Sequence, residues 1–261
     1  MVGAVPSPVA KFFEGTITQR EDVAADLWKI RVDPGGDFQF VAGQYATIGV
    51  SNGEKIVERP YSIASSPYER ELEFYFELVP QGALTPLLHR LGVGSKVFLR
   101  KFAKGRFTLD LQSGHKNHLL ISTVTGVAPF VSFVRTLDID AKQNKFPGDI
   151  RLYAINGASR SWELGYQAEL ERAAALECPW LSYVPTVSRP WEDLPWQGER
   201  GRVEDVLRKF TDEWGIKGEE TTAYLCGHPM MVEHCNGILT RSGFSRKDIR
   251  EEVYWIPDKA E

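Results

Sequence analysis

Arg59-Pro60-Tyr61-Ser62, inside the run ERPYSIASSP, joins residue types that can hold a flat, phosphate-bearing ligand. Pro60 fixes its own φ and drives Arg59 toward an extended conformation, so the segment reads as a rigid strand. Alternation along that strand puts the Arg59 guanidinium and the Tyr61 ring on one face. The planar cation suits phosphate and the aromatic plate suits an aromatic ring. Alone, the four residues also describe a plain strand with an exposed arginine and a half-buried tyrosine. Their weight comes from the other motifs of the chain.

Gly82-Ala83-Leu84-Thr85-Pro86 precedes the helical stretch LLHRL. Thr85 is expected as N-cap and Pro86 as the first helical residue, and a helix N-terminus binds phosphate through free N–H groups and its dipole. Thr125-Gly126-Val127-Ala128-Pro129 sits between the apolar strand NHLLISTV and the helical FVSFVRTLD. A small residue there lets backbone approach a ligand at a helix N-terminus, although the Gly-x-Gly-x-x-Gly fingerprint is missing. Arginines occur after three later segments: Arg160 in NGASR, Arg189 in TVSR and Arg202 in RGRV. Taken singly, an arginine after a strand is most simply a solvated surface residue, while a cluster of them can grip a phosphate bidentately. Cys226-Gly227-His228-Pro229-Met230 ends another strand. Cys178, Cys226 and Cys235 make no close pair, which argues against zinc, a disulfide framework and an iron–sulfur cluster.

The elements that must position these residues fall into two kinds. FFEGTITQRED, ADLWKIRVDP, GQYATIGV, KIVERPYSIA and LEFYFELV are short strands separated by turns, with Asn52-Gly53 as a hairpin signal. In LEFYFELV, alternation puts Leu72, Phe74, Phe76 and Leu78 on one side and Glu73, Tyr75 and Glu77 on the other. KVFLRKFAKGRFTL reads as a further strand pair carrying Arg100, Lys101, Lys104 and Arg106. Residues 1–113 are therefore expected to form an antiparallel β-barrel. From residue 114 to 261, strands alternate with helices: NHLLISTV, DIRLYAIN, LSYVPTVS, TTAYLCG and EEVYWI, with helices such as WELGYQAELERAAAL, RVEDVLRKF and MMVEHCNGILTRSG between them. That pattern predicts a parallel-sheet α/β domain whose ligands bind at the C-terminal strand ends, near Thr125, Gly126, Ser159, Arg160, Ser188, Arg189, Cys226 and Gly227. SRPWEDLPWQGERG is the one long loop. The 261 residues are 43% apolar and 25% charged with net charge −4, a globular composition without a nucleic-acid footprint. No apolar run is long enough for a membrane span and no signal peptide is evident, so the cytoplasm is the expected location.

In this order, Arg-x-Tyr-Ser, Gly-x-Leu-Thr, Thr-Gly-x-Ala-Pro and Cys-Gly-x-Pro-x-Met resemble the ferredoxin–NADP reductase family, its compact bacterial flavodoxin/ferredoxin reductases in particular. The resemblance runs from about Phe13 to Trp255. It implies FAD on the barrel, with Arg59 at the pyrophosphate, Tyr61 against the isoalloxazine and Ser62 near N5. Pro60, Tyr75, Ala83, Leu84, Thr85 and Thr125 match further FAD positions, and Tyr254 and Trp255 the aromatic end that packs on FAD. It implies NADP(H) at Thr125, Gly126, Ser159, Arg160, Ser188, Arg189, Arg202, Cys226, Gly227 and Met230, with Cys226 near the hydride path. The chain departs from the family at Val124, where glycine is frequent. The implied activity is electron transfer between NADP(H) and ferredoxin or flavodoxin by hydride exchange at flavin N5, in a monomer with no metal of its own. Acidic carriers would dock on Lys101, Lys104 and Arg106. Competing readings are an NADH-dependent reductase component of an oxygenase system, a ferric or siderophore reductase, and a non-catalytic electron-transfer subunit. Relatives of the last kind usually carry [2Fe–2S] cysteines near the C-terminus, which this chain lacks.

Overall fold

The computed structural model describes residues 11–254. Trp255 lies outside them. The chain divides after Thr108 into two units.

In the first unit, β1 (Phe12–Asp22), β2 (Leu27–Asp33), β3 (Tyr45–Ser51), β4 (Ile56–Ser62), β5 (Leu72–Glu77) and β6 (Lys96–Arg100) form an antiparallel sheet in the order β4-β3-β6-β1-β2-β5. The sheet nearly closes. Past the end of β4, the Ala64 N–H donates to the Glu73 carbonyl of β5 at 2.8 Å. Pro60 is tolerated because β4 is an edge strand of the ladder. Trp28, Ile30, Ile48, Phe74, Phe76 and Leu99 fill the interior, plugged by Leu84 and Leu88 at the short helix α1 (Thr85–His89).

One expectation fails here. Only β6 forms from KVFLRKFAKGRFTL; beyond it lies an isolated bridge between Tyr45 and Lys104, after which Gly105 turns the chain at φ 108°. The second side of LEFYFELV is covered as well, with Glu73 and Tyr75 both buried. Arg31 makes burial of Glu73 tolerable, pairing with it at 2.6 Å and with Glu69 at 2.9 Å.

In the second unit, β7 (Asn117–Thr123), β8 (Arg151–Ala158), β9 (Leu181–Val187), β10 (Glu199–Arg200), β11 (Thr221–Gly227) and β12 (Ile249–Val253) are parallel, in the order β10-β9-β8-β7-β11-β12. Helices α2 (Ala128–Lys142), α3 (Gln167–Arg172), α4 (Val203–Glu213) and α5 (Pro229–Arg241) connect them. The expected single helix over WELGYQAELERAAAL is split into a 3₁₀ turn (Ser161–Glu163), α3 and a π turn (Ala173–Glu177). Gly165 lies at the first break, where its backbone freedom disfavours helix. The chain steps from β7 out to β8 and β9, then returns to β11 and β12 on the other side of β7. Strand order therefore reverses between β7 and β11, the place where open α/β sheets leave a crevice at their C-terminal edge.

Candidate functional site

In the barrel unit, β4 registers Arg59 opposite Ile48, Tyr61 opposite Ala46 and Ser62 opposite Tyr45. Arg59 is exposed, and its side chain donates, among the described residues, only to the carbonyl of its neighbour Glu58, at 2.8 Å. Among the described residues it makes no ion pair. The carboxylate of its chain neighbour Glu58 is already committed: Arg100 takes it through two hydrogen bonds, Nε at 2.8 Å, and the bond holds the Glu58 carboxyl below its usual range. The Tyr61 ring is fixed edge-on by Phe76, centroids 4.6 Å apart. Burial pushes its phenol up to about 12, so it stays neutral at physiological pH. Ser62 is buried beside it and Pro60 is exposed. Tyr75 is only 3% exposed.

Thr85 is not the N-cap. Leu84 holds that position, and the Thr85 hydroxyl instead accepts the Val79 N–H at 3.0 Å and donates to the Val79 carbonyl at 3.2 Å. The preceding turn brings Val79 within reach and outcompetes the cap. The backbone N–H groups of Ala83, Leu84 and Thr85, ahead of the first helical turn, donate to nothing among the described residues. Successive free N–H groups of this kind form an anion-binding concavity.

At the strand-order reversal of the second unit, two loops interlock. A Cβ on Gly126 would fall 2.3 Å from the Cys226 carbonyl oxygen, and one on Gly227 would fall 2.5 Å from Thr123 Oγ1. Thr123 Oγ1 also accepts the His228 N–H at 3.0 Å. Only glycine fits either place. β7 ends one residue earlier than NHLLISTV suggests, because Val124 turns at φ 43° into a 3₁₀ turn with Thr125 and Gly126. A β-branched residue in that region is strained. Its side chain packs on Ala158, Leu164, Val187 and Trp196, which offsets the cost. The two helices that start here differ. His228 caps α5, its Nδ1 accepting the Met230 N–H at 3.2 Å, whereas no side chain caps α2. The 3₁₀ turn runs directly into α2, where the Ala128 N–H donates to the Thr125 carbonyl and Pro129 has no N–H to offer, so any anion there meets the helix dipole more than free donors.

The Cys226 thiol is fully buried, burial pushes it well above its usual range, and Tyr254 hydrogen-bonds to it. The Tyr254 N–H donates to the Gly227 carbonyl at 3.1 Å. Met230 is exposed.

Ser159, Arg160, Ser188 and Arg189 meet at the ends of β8 and β9: Ser188 N–H bonds the Ala158 carbonyl and Arg189 N–H the Ser159 carbonyl, both at 2.9 Å. Arg160 is not free. Its Nη1 donates to Glu163 at 2.9 Å and its Nη2 pairs with Glu192; Arg189 lies 3.7 Å from Glu192. Arg202 is exposed, 3.9 Å from Glu204. These carboxylates were missed by sequence reasoning. The signal was there: Arg160-Ser-Trp-Glu163 recurs as Arg189-Pro-Trp-Glu192, and each forms a 3₁₀ turn displaying an exposed tryptophan. Among the described residues, no group of three or more His, Cys, Asp or Glu could hold a metal, and no helix is long and apolar enough to cross a membrane.

Residues 120–237 match the family model described as an oxidoreductase NAD-binding domain. The chain is 32% identical to the flavodoxin/ferredoxin–NADP reductase of Rhodobacter capsulatus over 227 residues, 81% of this chain and 79% of that one. It is 29% identical to the ferredoxin–NAD(P)(+) reductase component of the naphthalene 1,2-dioxygenase system of Pseudomonas putida, over 94% of this chain and 70% of that one. A solved structure of a ferredoxin NADP+ reductase from Neisseria gonorrhoeae, with bound FAD and NADP, superimposes with a TM-score of 0.80 at 25% identity, covering 94% of this chain and 99% of that one.

Proposed function

We propose, from the premise that the chain belongs to the ferredoxin–NADP reductase family, that it moves electrons between NADP(H) and a ferredoxin or flavodoxin by way of FAD. It is an oxidoreductase with FAD and NADP(H) as its cofactors. The observation that carries the reading is Arg59, an exposed cation on a rigid strand with no ion pair among the described residues, the adjacent Glu58 carboxylate being held by Arg100. With the unengaged N–H groups of Ala83, Leu84 and Thr85 in the same unit, these donors fit a pyrophosphate-bearing flavin. FAD, when bound, supplies a hydride acceptor and a donor of single electrons.

The protein's own part is to bind, orient and exclude water. Arg59 and the Ala83–Thr85 turn hold the pyrophosphate. Pro60 keeps Arg59 and Tyr61 extended, Tyr61 offers a neutral ring to the flavin, and Ser62 holds a hydroxyl toward N5. Thr125, Gly126 and the uncapped start of α2 receive the dinucleotide, with Gly227 and Met230 across the loop. Arg160, Arg189 and Arg202 meet the 2′-phosphate, flanked by Ser159 and Ser188. Cys226 acts as a protonated, packed thiol, since its burial disfavours thiolate. Tyr254 covers it, and the role expected of Trp255 goes with that aromatic end. We place the enzyme in the cytoplasm as a monomer.

For the carrier, Lys101, Lys104 and Arg106 lie within four residues of Phe102, which is 77% exposed, and the Lys101 ammonium sits over the Phe13 ring at 5.4 Å. A cationic rim about an apolar anchor suits an acidic carrier. NADPH-driven reduction of cytochrome c that depends on added ferredoxin or flavodoxin tests the function; equal rates without either carrier would reject it. The likeness to a dioxygenase reductase component, together with the carboxylates on Arg160, favours a second reading in which NADH serves and the acceptor belongs to an oxygenase system.

A further inference from the structure

Two carboxylates from separate turns meet on Arg160, and they are held differently. Glu163 is fixed in place: one oxygen accepts the backbone N–H groups of Ser159 (2.9 Å) and Arg160 (3.2 Å), and the other takes the Arg160 guanidinium. Among the described residues, no backbone group anchors the Glu192 carboxylate. It reaches across from the second turn to Arg160 Nη2, with Arg189 3.7 Å away, and its side chain is 34% exposed.

We propose that Glu192 sets how strongly this protein discriminates NADPH from NADH, by competing with the 2′-phosphate for the Arg160 guanidinium. The inference rests on assigning the second unit to NADP(H). Arg160 and Arg189 are balanced by Glu163 and Glu192, so a dianionic phosphomonoester meets no net positive charge there. To reach Arg160 it must displace a tethered carboxylate, and Glu192 is the one free to leave. Arg189 gives the displaced carboxylate a second partner, so the competition weakens 2′-phosphate binding without forbidding it. A nucleotide with a free 2′-hydroxyl meets the reverse situation, because an acceptor carboxylate is what recognises that hydroxyl. Glu192 thus lowers affinity for NADPH and supports NADH, narrowing the preference that three arginines would otherwise give.

The test uses the FAD-loaded protein, as wild type, E192Q and E192A. Glutamine keeps the shape and hydrogen-bonding reach and removes the charge; alanine removes both. Calorimetry would give the affinities for 2′-phospho-AMP and AMP, and steady-state assays with ferricyanide the kcat/KM values for NADPH and NADH. The ratio of 2′-phospho-AMP to AMP affinity should rise about tenfold in E192Q, with the NADPH-to-NADH ratio of kcat/KM moving in parallel. Raising salt should shrink the difference between wild type and E192Q. If both ratios stay within about twofold of wild type in E192Q and E192A, Glu192 does not compete and the inference is wrong, even though the nucleotides act. If neither nucleotide fragment binds and neither NADPH nor NADH reduces the flavin, the nucleotide assignment itself has failed, and the inference with it.

Discussion

Arg59 in the barrel and Arg160 in the α/β unit are both proposed phosphate ligands, but the protein prepares them in opposite ways. Around Arg59 it removes competition, since Arg100 occupies the Glu58 carboxylate and leaves the Arg59 guanidinium bonded only to a main-chain carbonyl among the described residues. Around Arg160 it supplies competition, through Glu163 and Glu192. An unclaimed cation favours tight, lasting occupancy; a satisfied one must be released before a ligand gains from it, which lowers affinity. The contrast matches a cofactor that stays and a nucleotide that must come and go on each turnover. An arginine's value as a phosphate ligand is set by its neighbours as much as by its position.

The largest expected effect separates the two units by acid. His118 is buried near Tyr224, and burial lowers its imidazole to about 4, against a partial rise from Asp110. Because its folded pKa lies below the unfolded value of about 6.5, unfolding takes up a proton. Its contribution is complete above that pH and fades as pH falls from about 6.5 to about 4, by up to about 3 kcal/mol. In the barrel, Glu58 also has a lowered pKa, but from a carboxylate's starting point, so its loss begins only in stronger acid. Thermal melting between pH 7 and 5 should fall less in His118→Leu than in wild type; identical slopes would remove His118 from the account.

Arg59→Ala should weaken FAD binding by about 2 kcal/mol, roughly 30-fold, measured as flavin released on dilution. AMP binding should be unchanged. Loss of AMP with retention of FAD would invert the assignment of the two units. Gly126→Ala is the converse experiment. Its Cβ would meet backbone 2.3 Å away that cannot step aside, so nucleotide binding should be lost and stability should drop by about 2 kcal/mol, while FAD is kept. Charge reversal of Lys101 and Lys104 to glutamate should slow carrier reduction about tenfold at low salt and less at high salt, with ferricyanide reduction as the control. Unchanged carrier rates would exclude the Phe102 surface. Val124→Gly carries the smallest effect. Relief of its strained φ and loss of its packing oppose each other, so stability should change by no more than about 1 kcal/mol.

The two-part architecture was legible because each part writes its period plainly. ERPYSIA and GQYATIGV flank an Asn-Gly turn, and β4 and β3 form there as an antiparallel pair. NHLLISTV and TTAYLCG are short, nearly unbroken apolar runs, as strands covered on both faces require, and they pair in parallel as β7 and β11. What stayed hidden depends on partners distant in sequence. Alternation in LEFYFELV could not reveal that Arg31 would let Glu73 be buried. The Thr85 cap lost to Val79, six residues back, which local capping preference does not see. The meeting of Glu192 with Arg160 joins turns after different strands, so counting arginines overstated the free positive charge. The recurrence of Arg-x-Trp-Glu was the one local hint of it.

The most direct test of the central claim is an anaerobic spectral titration of the purified yellow protein with NADPH and with NADH. The account predicts bound FAD whose absorbance bleaches on adding NADPH, with NADH also effective at higher concentration. A protein that holds no flavin, or a flavin that responds to neither nucleotide, would contradict it.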